Sequence, residues 1–286
     1  MNLTLTKCKT GQSPKSSPWW KQLYNVPMEI VNIAAYKFVG IPEPAAIQPL
    51  IKECCDRLAL KGTVLLAPEG INLFLAGSKE GIASFITYLQ NEPSFDNKFA
   101  ELEIKESLSP NQPFGRMIVR IAKEIITMRH PTIVPEAARA PHVEPAKLKA
   151  WLDQGFDDLG RPVIMMDTRN GFEVEMGTFD NALAFDIERF SQFPDAVKEK
   201  INEHNLKEKT IVSFCTGGIR CEKAALYMAE IDLPHVYQLQ GGILGYFEKV
   251  GGAHWQGECF VFDERVALDS SLTPTVHSYP GRPLKD

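Results

Sequence analysis

The chain has 286 residues, of which 44% are hydrophobic and 23% are charged, with a formal net charge of −5. This length predicts about two domains, and the composition is that of an ordinary globular protein rather than a disordered or fibrous one. No apolar run is long enough to cross a bilayer, so no membrane association is expected. Six cysteines without framework or zinc-ligand spacing predict a cytoplasmic location and no structural metal.

The charge is divided unevenly along the chain. Residues 1–149 hold 18 basic and 14 acidic side chains, whereas residues 150–286 hold 13 and 22. A mildly basic half could contact a polyanion such as a nucleic acid, but solvated surfaces often show the same imbalance.

The first domain is predicted at residues 29–106, after a polar N-terminal arm at residues 1–28. Apolar runs and helical periodicity follow one another in the order β-α-β-β-α-β, which predicts a ferredoxin-like α+β domain with one sheet and two covering helices. The predicted strands are 29–38, 62–67, 71–76 and 102–105, and the predicted helices are 44–60 and 79–91.

A proline-rich, basic connector is predicted at residues 107–141. Its apolar run at 116–126 could form a strand against either domain. The candidate RNA-binding side chains at this end of the first half are Lys105, Arg116, Arg120 and Lys123. Such dispersed cations could contact RNA phosphates, or they could be the solvated charges of an ordinary exposed strand, and the residues alone leave both readings open.

The second domain is predicted at residues 142–265, followed by a polar tail at 266–286. Buried strand patterns alternate with helix patterns, which predicts an α/β domain with a parallel sheet. Asp167 and Arg169 follow one strand, and Cys215 follows another, so we expect them to share the carboxyl edge of the sheet. Asp167 and Glu173 are expected to hold the neighbouring loop by ion pairs, whereas Arg169 could be structural or functional.

The stretch around Cys215 carries the strongest chemical signal. An apolar strand at 210–214 leads into the cysteine, two glycines follow, and a helix pattern begins at residue 221. Inward-turned backbone N–H groups and a helix N-terminus would stabilise a thiolate, and Arg220 is expected to add positive charge at the rim.

A lone buried cysteine is more often structural. Here the glycines, the arginine and the strand-to-helix context together favour a reactive thiolate. The C-x4-R spacing, one residue shorter than that of cysteine phosphatases, suits a sulfur atom or a small oxyanion.

The sequence CTGGIRCEKA at residues 215–224 resembles the active loop of the rhodanese-domain tRNA uridine hydroxylases. Residues 65–72 are similar to the family's LLA-x-EGIN signature, and residues 255–265 to its W-x-G-x-C-x-VFD-x-R stretch. The chain departs from the family at Leu73 and Phe74, where Gly-Thr is usual. The resemblance implies a ferredoxin-like domain followed by a rhodanese-like α/β domain.

The resemblance also implies a function. It implies a tRNA-modifying oxidoreductase that hydroxylates the wobble uridine to 5-hydroxyuridine, with the anticodon region of tRNA as partner and molecular oxygen as co-substrate. Cys215 would be the catalytic thiol, and no flavin, haem or iron motif is evident. The residues that would support the active loop are Thr216, Gly217, Gly218, Ile219, Arg220, Asp167 and Arg169.

Two alternatives belong to other functional classes. A sulfurtransferase would carry a persulfide on the same cysteine, and the loop length suits that role equally well. An RNA-binding module with an inert rhodanese domain is the other alternative, but Cys215 and its intact loop argue against it.

Overall fold

The structure, a computed structural model, describes residues 30–275, so the predicted N-terminal arm and most of the C-terminal tail lie outside the described residues. Within residues 30–275, no helix is long and apolar enough to cross a membrane. Two separate sheets, one in each half of the chain, organise this part of the protein.

The first sheet has five strands in the order β4-β1-β3-β2-β5. Its elements are β1 (Ile30–Phe38), α1 (Pro44–Arg57), β2 (Lys61–Ala67), β3 (Gly70–Gly77), α2 (Lys79–Asn91), β4 (Glu103–Ser109) and β5 (Met117–Ile121). The first four strands are antiparallel neighbours in the ferredoxin-like order, so the predicted fold class is confirmed. The fifth strand pairs parallel with β2, so part of the predicted connector extends this sheet.

The two helices of the first domain cover one face of its sheet. In α1, the residues Ile47, Ile51 and Cys54 recur at helical spacing and are buried, as are Ile82 and Phe85 in α2. Their side chains join the buried residues of the strands in one core. The helices therefore leave the opposite face of the sheet free to meet the second half of the chain.

The second sheet has four parallel strands in the order β6-β10-β9-β7. Its strands are β6 (His142–Val143), β7 (Val163–Asp167), β9 (Thr210–Phe214) and β10 (Val236–Leu239). The helices of this domain are α3 (Pro145–Gln154), α4 (Gly171–Val174), α5 (Phe193–Glu203), α6 (Ile219–Glu230) and α7 (Gly242–Val250). Four short strands form two further pairs in this domain, β8 (Gly177–Phe179) with β11 (Trp255–Gly257) and β12 (Cys259–Phe260) with β13 (Ala267–Leu268).

Both faces of the parallel sheet are buried. Ile211 of β9 packs in a core with α5 and α6, whereas its neighbour Val212 packs in a second core with α3 and α7. Alternate side chains of the strand thus point into opposite layers, as the pleat requires. All five residues of β9 are buried, which holds its carboxyl end, where Cys215 follows, in a fixed position.

Lys223 joins the two halves of the chain. Its side chain is 3% exposed, and its Nζ lies 2.8 Å from Glu69 Oε2, 2.7 Å from Glu124 Oε2 and 3.0 Å from the carbonyl oxygen of Ile126. Glu69 also accepts a hydrogen bond from the backbone N–H of Ile125. The glutamate of the EGIN signature is therefore an ion partner of a lysine on α6.

We expect the Lys223→Met variant to lower the free energy of unfolding by about 3 kcal/mol, because it leaves two poorly solvated carboxylates without a counterion. Urea unfolding measures this change. Lys200→Met removes an exposed pair with Glu203 and is the control, with an expected loss below about 1 kcal/mol. Equal losses in the two variants would contradict the role of Lys223.

Candidate functional site

Cys215 is the first residue of the loop between β9 and α6, and it is fully buried. The backbone N–H of Gly218 donates a hydrogen bond to its Sγ at 3.1 Å. Gly218 has φ 99°, a left-handed conformation that favours glycine, and it precedes the first residue of α6. The predicted arrangement of a strand, a glycine loop and a helix start is therefore present, and it directs an N–H group at the sulfur.

A second glycine turn supports the loop from behind. Gly242 has φ 61°, and a Cβ there would lie 2.5 Å from the carbonyl oxygen of Cys215. This close approach lets the first turn of α7 donate backbone N–H groups to the loop, from Ile243 to the Cys215 carbonyl at 3.0 Å and from Leu244 to the Thr216 carbonyl at 3.1 Å. The loop is thus held rigidly by two helix starts.

The sequence led us to expect a free positive charge of Arg220 at the rim of the loop, and this expectation is wrong. Arg220 is 5% exposed, and its two terminal nitrogens lie 2.6 and 2.8 Å from the carboxylate oxygens of Glu173. The fork-shaped guanidinium matches the carboxylate with two parallel bonds, and this geometry is what draws the arginine inward. Its charge is therefore balanced, although it still lies close enough to act on Cys215.

Asp167 and Arg169 form a second buried pair next to the first. Arg169 is fully buried and donates to both carboxylate oxygens of Asp167 and to the backbone carbonyls of Glu173 and Gly177. Thr178 Oγ1 also donates to Asp167 at 2.8 Å. All three nitrogens of the Arg169 guanidinium thus donate to protein groups, so this arginine supports the loop from within the domain.

The pKa of the Cys215 thiol is lowered to about 6. Burial opposes ionisation, but a hydrogen bond from the Cys221 thiol, the positive charge of Arg220 and backbone N–H groups of Arg220 and Gly218 together outweigh it. Burial and the neighbouring Cys215 raise the pKa of Cys221 well above its ordinary value. The pair therefore consists of one thiolate and one thiol that donates to it.

A cavity of about 1330 Å³ opens over this loop, between the two domains. Its walls include the predicted loop residues Cys215, Thr216, Gly217, Ile219 and Arg220. Three of the four predicted RNA-binding side chains, Lys105, Arg116 and Arg120, also line it. Among the described residues, exposed Lys123 lies outside this lining. Gly218, Asp167 and Arg169 are buried and are not part of this lining.

Two residues of the site, Tyr36 and Glu222, were not predicted from the sequence. The Tyr36 hydroxyl of β1 donates to Glu222 at 3.3 Å and lies 3.0 Å from the position of a Cβ at Gly218. Burial and the nearby charges of Glu222 and Cys215 raise the Tyr36 pKa well above its ordinary value. Glu222 also accepts from Gln238 at 3.1 Å. No local pattern could have revealed this contact, since 186 residues separate Tyr36 from Glu222.

The pH titration of the Cys215 thiolate, followed by its ultraviolet absorbance, is expected to have a midpoint near pH 6 rather than the value of about 8.5 for a free cysteine. Cys221→Ala removes a donor to the thiolate and should raise the midpoint, whereas Cys221→Ser retains a hydroxyl donor and should raise it less. Subtracting the signal of Cys215→Ser isolates the transition. A wild-type midpoint above pH 8 would contradict the lowered pKa.

Comparisons with known proteins agree with this architecture. Residues 30–125 match the UPF0176 acylphosphatase like domain, and residues 144–249 match the rhodanese-like domain. The chain is 58% identical over 248 residues to the tRNA uridine(34) hydroxylase of Burkholderia cenocepacia (strain HI2424), an alignment that covers 87% of each protein. It is 59% identical, with the same coverage, to that of Burkholderia vietnamiensis (strain G4 / LMG 22486). The chain therefore belongs to the tRNA uridine(34) hydroxylase family.

Proposed function

We propose that this protein is a tRNA-modifying enzyme that hydroxylates the wobble uridine in the anticodon region at C5, with Cys215 as its catalytic thiol. The observation that carries the proposal is the lowered pKa of Cys215 at the floor of a cavity between two domains, in a chain 58% identical to tRNA uridine(34) hydroxylases. A thiolate at neutral pH supplies a nucleophile for a base, and the basic side chains of the cavity suit the phosphates of an RNA.

The size and the walls of the cavity fit a nucleotide within an RNA loop. A volume of about 1330 Å³ exceeds the several hundred Å³ typical of a small-molecule pocket, so it has room for a base and its neighbours. Enzymes that act on a base take it out of its stack, and the uracil would then lie over the cysteine loop. Lys105, Arg116 and Arg120 would contact the phosphates around it.

The chemistry begins with the thiolate in this proposal. Cys215 Sγ adds to C6 of the uracil, which makes C5 electron-rich and able to accept an oxygen atom. With molecular oxygen as co-substrate, the second oxygen atom leaves as water and takes two electrons and two protons from two small-molecule thiols, which are oxidised to a disulfide. Loss of the thiolate from C6 together with the C5 proton restores the ring as 5-hydroxyuracil and frees Cys215.

Cys215→Ser is expected to abolish 5-hydroxyuridine formation, because a serine hydroxyl does not ionise near neutral pH. The measurement is mass spectrometry of wobble nucleosides from a strain that lacks the gene and is complemented with either protein. The wild type should restore the modification, and the variant should not, at equal protein level and thermal stability. An unchanged level of 5-hydroxyuridine in the deletion strain would exclude the hydroxylase. Transfer of sulfur from thiosulfate by the purified protein would then favour the persulfide carrier.

Arg116→Gln is expected to reduce the slope of log affinity against log salt for tRNA by about 0.7, the value for one phosphate contact on a single strand. Lys123→Gln is the matched comparison, since Lys123 is also exposed and lies seven residues further on, outside the cavity. Filter binding over a range of salt concentrations measures both slopes. Unchanged slopes in both variants would contradict the phosphate contact of Arg116 and would mean that both side chains are solvated charges.

A further inference from the structure

Four phenylalanine rings form a row along the wall of the cavity. The rings of Phe74 and Phe262 have centroids 6.4 Å apart, Phe262 and Phe260 are 5.0 Å apart, and Phe260 and Phe172 are 5.1 Å apart. Phe74 belongs to β3 of the first domain, and the other three belong to the second half of the chain. The row therefore spans both domains, and Phe74, Phe172 and Phe262 line the cavity directly.

Phe262 is the most exposed member of the row, with 39% of its surface in contact with solvent. Its ring lies 5.9 Å from the guanidinium carbon of Arg220, the residue that ends the C-x4-R loop of Cys215. The row thus passes beside the reactive loop at Phe262, with Phe74 on one side of this ring and Phe260 on the other. Adjacent aromatic side chains that share the wall of a cavity are typical of a binding surface.

Phe74 is half-buried and occupies one of the two positions where the chain departs from the Gly-Thr of the family signature. It is the member of the row that the first domain contributes, and it lies against Phe262. This departure therefore adds aromatic surface to the cavity rather than to the core of the first domain.

Basic side chains border the same cavity along the edge strand β5 and the residue that precedes it. Arg116, Ile118 and Arg120 line it, whereas the intervening Met117 and Val119 pack against the core of the first domain. This alternation follows from the two-residue period of a strand and places both arginines on the cavity side. Carboxylates line the cavity as well, and three of them are ion-paired, Glu103 with Lys105, Asp263 with Arg265 and Glu124 with Lys223.

We propose that the unpaired bases next to the target uridine in the anticodon loop stack on Phe262 and Phe74, while Arg116 and Arg120 contact the phosphates that connect these bases. The inference rests on the proposed function and adds to it the surface that holds the RNA. Aromatic platforms beside basic side chains are how proteins hold single-stranded nucleic acid without reading its sequence. Such stacking would keep the loop splayed open above Cys215.

The test uses a fluorescently labelled anticodon stem-loop RNA and the full-length protein, with binding followed by anisotropy. Phe262→Leu is expected to weaken binding about tenfold, roughly the contribution of one stacked base, and Phe74→Thr by a smaller factor. Phe156→Leu is the matched control, because Phe156 is 49% exposed but lies outside the cavity, and it should bind as tightly as wild type.

A second RNA with an abasic site next to the wobble uridine separates stacking from a purely structural role. The wild type should bind this RNA about tenfold more weakly, and Phe262→Leu should cause no further loss, because the stacked base is already absent. Equal weakening of both RNAs by Phe262→Leu, with a lowered melting temperature, would make the row a packing feature and overturn the inference.

The proposed function and the stacking inference fail in different ways. If the wild type modifies the uridine and Phe262→Leu binds the intact RNA as tightly as wild type does, the stacking inference is wrong and the hydroxylase remains. If the wild type binds no anticodon RNA at all, both are wrong, and an apolar segment of a partner protein becomes the better occupant of the row.

Discussion

The groups around the reactive loop must keep the negatively charged sulfur of Cys215 stable in a buried position. Cys215 is fully buried, and removing an ion from water without compensation is unfavourable by several kcal/mol. The compensation comes from short-range donors rather than from a free cation. These donors are backbone N–H groups of the loop, including that of Gly218, and the thiol of Cys221. Arg220 contributes its charge from a fixed position, because Glu173 holds its guanidinium with two bonds.

The same helix that starts at the cysteine loop also docks the two domains. Ile219 packs in a small apolar cluster with Phe38, Glu222 accepts from Tyr36, and Lys223 pairs with Glu69. Positions 219, 222 and 223 are spaced by three and four residues, so they lie on one face of α6. A shift of the first domain would therefore move the helix whose first turn supports the thiolate. Domain docking and thiolate stabilisation are coupled through this helix.

Sequence patterns were sufficient where the signal is local. The β-α-β-β-α-β order follows from apolar periodicity, and the cysteine loop follows from a buried strand, a glycine turn and a helix start. The remaining features arise from pairing between distant residues. Arg220 was expected at the rim because its local context is a helix start, but Glu173, 47 residues away, draws it inward. Tyr36 and the aromatic row likewise depend on contacts between domains, which no periodicity within one segment encodes.

The net charge of the groups around Cys215 affects which substrate can approach its sulfur. At neutral pH, Cys215 carries a negative charge, Arg220 is matched by Glu173, and Arg169 by Asp167, so these five groups together carry one negative charge. A dianionic sulfur donor such as thiosulfate would approach a thiolate without meeting an unpaired cation among these groups. A uracil ring is neutral and meets no such repulsion at the sulfur. The ion pairs that support the loop thus favour a neutral base over an oxyanion at the sulfur, and in the proposed function Arg116 and Arg120, which line the cavity, contact the phosphates instead.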